Sequence, residues 1–329
     1  MNRRAMNSIL LTLGCFLLTG SLAVGDDLRI GIIGADTSHA TAFTKLINDA
    51  TDTHHVPGGK VVAFYKGGSL DIPESAGRIE KISRELKEKY GLQEADSVEK
   101  LCAGVDRILL ESLDGRPKLE QLKPVFKAGR PVFIDKPVAA SLRDVIAINR
   151  LAHESRVPWF SSSAYRFYES MVEVKNAKVG ELRGAISYGP CELEPHHPDL
   201  FWYGIHPTEA LYTVMGTGCE SVVRTSTPNT DVVTGVWSEG WVGTLRGLRN
   251  ASTPHKVTVF GTKGIAEQKG DGDYAPLVVE IMKFFQTGIA PVSNEETVEI
   301  YAFMEAADES KREGGATVKI ADVMRKNEQ

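Results

Sequence analysis

Leu28-Arg29-Ile30-Gly31-Ile32-Ile33-Gly34 is an apolar, β-branched run ending on glycine, and Ala35-Asp36-Thr37-Ser38-His39 follows it. A run with no polar alternation predicts a strand buried on both faces, the habit of parallel sheets. Ala42, Phe43, Leu46 and Ile47 then take up helical spacing. The same rhythm repeats outward from this point. Lys60 to Tyr65, Asp106 to Glu111, Pro131 to Asp135 and Val157 to Ser161 read as strands. Helices are expected over Glu74 to Tyr90, Ser97 to Cys102, Leu119 to Ala128 and Leu142 to Glu154, with Gly91 and Gly129 as stops. Strands alternating with helices predict a doubly wound parallel α/β sheet over residues 26–165. Such a sheet carries its cleft at the carboxyl ends of its strands.

The rhythm changes after Arg166. Glu181 to Tyr188, Ser221 to Thr225, Asp231 to Trp237, Gly240 to Arg246 and His255 to Phe260 are strand-like, with few helices between them. Helices over Pro276 to Gln286 and Glu295 to Glu313 close the chain. Residues 166–329 are therefore expected to form a C-terminal α+β domain around an open, mostly antiparallel sheet. Its free face needs a covering layer.

The 329 residues carry 38 Lys and Arg against 43 Asp and Glu, a net charge of −5, and no basic stripe stands out. Nucleic-acid binders carry such a stripe, so none is expected as a partner. Four cysteines, none in a Cys-x-x-Cys pair, exclude a zinc ribbon and a disulfide scaffold. Residues 1–25 combine a basic start (Arg3, Arg4), an apolar stretch from Ile9 to Val24, and small residues at Ala23 and Gly25. This pattern predicts an export signal cleaved before Asp26, a periplasmic or extracellular destination, and no membrane span in the mature chain. Arg3-Arg4-Ala5-Met6 also resembles a twin-arginine signal, which exports proteins already folded.

Several fragments, in this order and spacing, resemble the Gfo/Idh/MocA oxidoreductases, sugar and polyol dehydrogenases that use a nicotinamide cofactor. The fragments are Ile30 to Gly34, Asp135-Lys136-Pro137 in place of Glu-Lys-Pro, Tyr165-Arg166-Phe167, Val179 to Leu182, Gly204-Ile205-His206, Val259 to Gly264 and Ala306 to Ser310. The likeness covers nearly the whole chain after the signal. It implies a Rossmann-like first domain, hydride transfer to NAD or NADP, and Lys136 and His206 as the catalytic pair. It also implies cofactor contacts from Gly34, Ala35, Asp36, Thr37, Ser38, His39, Lys66, Ser112, Asp135 and Lys136. Arg166, Trp202 and Glu209 are implied near a carbohydrate substrate. A second subunit covering the open sheet is implied too, giving a homodimer or higher even oligomer.

The chain departs from the family pattern at defined places. The dinucleotide fingerprint Gly-x-Gly-x-x-Gly places bare backbone against a pyrophosphate. Here the second and third glycines are Asp36 and His39. A carboxylate about 4 Å from a phosphate charge is opposed by roughly 4 kcal/mol at a surface-like dielectric. Asp36 is therefore expected to turn away and cap the helix, with Thr37 and Ser38 offering hydroxyls. Lys66 and Ser69 stand where an acid would hold a ribose 2′-hydroxyl, which suits a 2′-phosphate. Trp202 replaces a family Asp four residues before His206, and Glu209 is a substitute carboxylate one turn later.

Two other readings stay open on sequence. In one, the dinucleotide site has decayed and the cleft performs metal-assisted or acid–base hydrolysis or lyase chemistry on carbohydrate. Asp36, His39, Glu111, Asp114 and Asp135 near strand ends support it, as does the group Glu192, Glu194, His196, His197 and His206. Neither group has a standard ligand spacing, and no metal centre is expected. In the other, the protein binds carbohydrate without catalysis, through Trp202, Tyr203, Trp237 and Trp241.

Overall fold

The structure is a computed structural model that describes residues 27–328. The expected export signal lies outside those residues. The first sheet alternates β1 (Leu28–Ile33), α1 (Ser38–Asn48), β2 (Gly59–Tyr65), α2 (Pro73–Glu88), β3 (Gln93–Ala95), α3 (Val98–Ala103), β4 (Arg107–Leu110), α4 (Lys118–Lys127), β5 (Val132–Ile134), α5 (Leu142–Ser155) and β6 (Trp159–Phe160). All six strands run parallel in the order β3-β2-β1-β4-β5-β6. This is the doubly wound Rossmann order, with its crevice between β1 and β4. Ile30, Ile32 and Ile33 of β1 are fully buried, as a central strand covered on both faces requires. β3, an exposed three-residue edge strand, has no apolar pattern and was not expected from the sequence.

Gly34 closes β1 at a φ of +100°, and a Cβ there would sit 2.4 Å from the backbone nitrogen of Ser112. This glycine lets the turns after β1 and β4 pack against each other.

The second layer is a seven-stranded mixed sheet. Its strands are β7 (Leu182–Pro190), β8 (Cys219–Ser226), β9 (Thr230–Trp237), β10 (Val242–Leu248), β11 (Lys256–Gly261), β12 (Gly264–Glu267) and β13 (Val318–Lys319), in the order β12-β11-β7-β10-β9-β8-β13. β7 and β10 pair in parallel, and the other neighbours are antiparallel. Its helices are α6 (Glu169–Lys175), α7 (Asp199–Trp202), α8 (Ile205–Met215), α9 (Ala275–Thr287), α10 (Asn294–Arg312) and α11 (Ile320–Asn327). Trp237 is buried under this sheet and takes the space of two missing Cβ atoms, since one on Gly243 or Gly235 would lie 2.6 or 2.8 Å from its ring.

Two helices tie the layers together. α9 returns to the first sheet, where Phe284 meets Phe160 edge-on at 5.0 Å. On α10, Tyr301 accepts the Val138 N–H at 2.5 Å just beyond β5. Cys102, Cys191 and Cys219 are free and buried. Among the described residues no helix is long and apolar enough to cross a membrane.

Candidate active site

The chain leaves β1 through Gly34 and Ala35, whose N–H groups donate to Tyr65 and Lys66 carbonyls at 2.9 and 2.8 Å. Asp36 comes next and points inward. Its carboxylate accepts from Ser75 Oγ at 2.6 Å and from the Leu113 N–H at 3.2 Å. Burial raises its pKa, against the pull of those two donors. The expected retreat from the helix start occurs, but Thr37, not Asp36, is the N-cap, accepting from the His39 N–H at 3.3 Å. Among the described residues the Thr37 and Ser38 N–H groups have no protein acceptor. An eleven-residue helix with free leading N–H groups and the nearest carboxylate withdrawn is chemistry that fits a pyrophosphate.

The other expected cofactor residues divide. Ser112 is buried and donates to Gln121 Oε1 at 3.0 Å. Lys66 pairs with Glu80 at 2.5 Å, and Ser69 donates to Asp114 at 2.6 Å, so both are already engaged by acids. His39 enters the cleft instead of merely replacing a glycine. Its Nδ1 lies 2.7 Å from Asp135 Oδ2, and its ring stacks on Phe43 at 5.3 Å.

Glu111 and Asp135 sit one residue beyond β4 and β5, held by their N–H groups on the Ile33 and Leu110 carbonyls. Glu111 is fully buried, and neither of its carboxylate oxygens has a hydrogen-bond partner. Burial and the neighbouring Asp135 push its pKa well up. Asp135 is also buried, yet His39, Lys136 and Lys118 outweigh that burial and bring it down to about 2. Lys118, unnoticed in the sequence, is a fully buried cation on α4 that donates to the Asp135 carbonyl at 2.5 Å. Burial lowers it to about 8.

Lys136 follows Asp135 and precedes a cis peptide to Pro137. Its ammonium lies 5.5 Å from the Tyr203 ring centre. Across the cleft, His206 lies in the first turn of α8, with Nδ1 2.8 Å from Ser163 Oγ. Burial, then Lys136 and His255, pull the His206 pKa well below its ordinary value, so it is a neutral imidazole. Lys136, His206, His39, Asp135, Trp202 and Tyr203 therefore face one cleft of about 180 Å³, together with Ser163, Tyr165 and Tyr274. That is below the roughly 300–1,000 Å³ of sites for drug-sized ligands, and it suits a single ring.

Arg166 and Glu209 are not on this wall. Glu209 accepts from Ser162 Oγ at 2.6 Å, the Ser163 N–H at 2.8 Å and Arg166 Nε at 2.9 Å, while Arg166 also reaches Glu296 at 2.6 Å. Glu209 thus holds the segment that carries Ser163 and makes no bond to His206. The acid groups named on sequence are also re-sorted. His39, Glu111 and Asp135 meet, while Asp36 and Asp114 have partners elsewhere. Glu194 joins His196 and His197 at 2.7 and 2.9 Å on a loop, apart from His206. Of the aromatics named on sequence, Trp237 is core and Trp241 packs against it, while Trp202 and Tyr203 line the cleft with Tyr165, Tyr168 and Tyr274.

No protein-family model and no curated protein sequence matches the chain. Solved structures do match it, and they show that the chain has the fold of the Gfo/Idh/MocA oxidoreductases. One is a probable dehydrogenase from Thermotoga maritima, at TM-score 0.72 and 21% identity, covering 90% of this chain and 100% of that one. A second is scyllo-inositol dehydrogenase from Lactobacillus casei with bound NAD(H) and scyllo-inositol, at TM-score 0.72 and 15% identity over 90% and 99% of the two chains. A third is myo-inositol 2-dehydrogenase from Lactobacillus plantarum, at TM-score 0.71 and 16% identity over 89% and 99%.

Proposed function

We propose that the chain is an exported NAD(P)-dependent oxidoreductase acting on a secondary hydroxyl of a sugar, polyol or related carbohydrate. The observation that carries this reading is the meeting of Lys136 and His206 across one ring-sized cleft beside a free helix start. The likeness in fold to an enzyme solved with NAD(H) and scyllo-inositol supports the same reading.

A bound nicotinamide supplies the hydride acceptor. The chain's own residues supply the rest. Thr37 and Ser38 hold the phosphates. The Lys136 ammonium stabilises negative charge growing on the substrate oxygen. His206, whose Nδ1 lies 2.8 Å from Ser163 Oγ, takes the hydroxyl proton on Nε2 in the tautomer that carries its own proton on Nδ1. Burial raises the Tyr165 phenol to about 12, so it stays a hydrogen-bond donor beside the ring. Trp202 and Tyr203 close the cleft against water.

The test is made on protein expressed with its own leader. Intact mass should give a mature chain beginning at Asp26, and denaturation should release NAD or NADP, or the folded protein should bind added dinucleotide. An empty chain that binds neither at millimolar concentration overturns the oxidoreductase reading, and a retained leader overturns the cleavage.

The open face of the second sheet presents Ile186, Val236 and Val242 at 38, 40 and 45% exposure. Val242 lies opposite Val236 in the ladder, and Thr244 opposite Thr234. An exposed apolar and threonine-bearing sheet face of this kind supports a subunit interface, and a homodimer is proposed. Light scattering should give twice the chain mass, and Val236→Glu with Val242→Glu should give one chain mass. A monomeric parent protein refutes the dimer.

A further inference from the structure

The geometry points to a binding site for a divalent transition-metal ion formed by His39, Glu111 and Asp135 at the floor of the cleft. One residue comes from the first turn of α1, one from the end of β4 and one from the end of β5, so three separate elements converge on one point. Their nearest ligand atoms all lie within 4.8 Å of one another, a spread that a single ion spans.

The independent observation is Glu111. A fully buried carboxylate with both oxygens lacking a partner is rare, because a buried polar group left unsatisfied costs about 1–3 kcal/mol and a charged one more. No residue used in the proposed hydride chemistry needs it. Among the described residues, the only side chain that could satisfy Glu111 is another acid, Asp135, through a shared proton, whereas an ion between Glu111, Asp135 and His39 gives both carboxylates a cationic partner.

The surroundings hold the ligands in place. The His39 ring is fixed by Phe43 at 5.3 Å and by Tyr274 edge-on at 4.7 Å. Lys118 grips the Asp135 carbonyl at 2.5 Å, which fixes the turn after β5. Support of this kind keeps first-shell ligands oriented.

One imidazole nitrogen and two carboxylates suit Mn²⁺, Fe²⁺ or Zn²⁺ and exclude soft copper(I). Three protein ligands leave coordination positions open, the arrangement of catalytic and not structural sites. Because His39 and Asp135 line the cleft, the open positions face it, beside Lys136. They would take the oxygens of a hydroxyl or keto group on a carbohydrate ring. The site stands on these three side chains and does not rest on the dinucleotide reading.

Full-length mature protein, stripped with chelator and dialysed, is titrated with MnCl₂ by electron paramagnetic resonance and with ZnCl₂ by calorimetry. No dinucleotide is present. One ion per chain is expected, with binding weakened roughly 10–100-fold or more in Glu111→Gln, a near-isosteric change. Asp114→Asn, which alters an acid of the neighbouring loop, should bind as the parent does. If Glu111→Gln fails to fold, His39→Gln serves the same purpose on a side chain that is not fully buried. Absence of binding by the parent at millimolar metal overturns the site and leaves Glu111 and Asp135 sharing a proton. Binding of equal strength in the Glu111 and His39 variants also overturns it, by placing the ion elsewhere.

Discussion

Replacing Lys136 by alanine should lower kcat by roughly 10²–10⁴-fold, the span of a positioned acid–base or charge-stabilising group. Dinucleotide affinity should stay within about threefold, because Thr37 and Ser38, which would hold the phosphates, lie on another element. The argument is electrostatic. Lys136 is the half-buried cation that lies between Tyr203 and the carboxyl end of β5, lining the cleft. The other cation of the lining, Arg78, is paired with Glu74 at 2.8 Å, and Lys118 beneath it is spent on the Asp135 carbonyl. Lys136→Arg should not restore the rate, since a planar guanidinium is not a point charge on a flexible stem.

The same variant has a second readout. Lys136 helps to depress the His206 pKa, after burial itself. Removing the ammonium moves that pKa back up, toward the ordinary 6.5. A base with a higher pKa is protonated at higher pH, so the acid limb of the pH–rate profile should shift upward in Lys136→Ala. Reduced-nicotinamide absorbance with a panel of inositols and aldoses measures both quantities. An unchanged kcat with an unmoved acid limb would remove Lys136 from the chemistry.

The first sheet was legible because its strands are buried on both faces and its helices are amphipathic, so composition and period report position directly. The second layer was legible in its long strands and in its two closing helices, α9 and α10, but not in α8. α8 has ten of its eleven residues buried, including His206, Thr208, Glu209 and Thr213. A helix without a solvent face carries no 3.6-residue polar stripe. Its polar groups are satisfied internally, Thr208 and Thr213 on carbonyls four residues back and Glu209 on Arg166. The parallel pairing of β7 with β10 was hidden for a related reason, since register between distant strands is set by packing and not by local pattern.

In the site, Lys136 and His206 were named from the family resemblance, while chain order placed Asp135 and His39 near the strand ends. Partnerships were not. Asp36 was expected at the helix start and is bonded to Ser75, 39 residues away. Ser163 lies in a serine run that reads as an ordinary loop, yet its hydroxyl fixes the His206 ring. Lys118 reads as one more helix-surface lysine on an amphipathic helix, and only the third dimension puts it beneath the cleft.

Arg224→Leu should destabilise the fold by about 3–5 kcal/mol, the cost of removing one partner from a buried charge group. Arg224 is fully buried on β8. Its guanidinium meets Asp231 at 2.8 Å and Asp199 at 2.9 Å, and it also pairs with Asp308 of α10. Its own N–H donates to Ser310 Oγ at 2.9 Å, so one residue joins the second sheet to the helix that spans both layers. After the change Asp231 keeps Arg249, but Asp308 loses the cation it pairs with. Burial already pushes Asp308 up to about 7 against the pull of Arg224, and without that pull it rises further. An acid whose folded pKa lies above its unfolded value binds its proton more tightly when folded, so stability falls as pH rises between the two. Below about pH 7 Asp308 is protonated in both folded proteins, so the loss in Arg224→Leu should be greatest above pH 7 and shrink as pH falls through about 7. Urea unfolding of parent and variant at pH 5 and pH 8 measures it. Equal midpoints at pH 8, or a deficit that grows on acidification, would show that the buried charges do not hold α10 to the sheet.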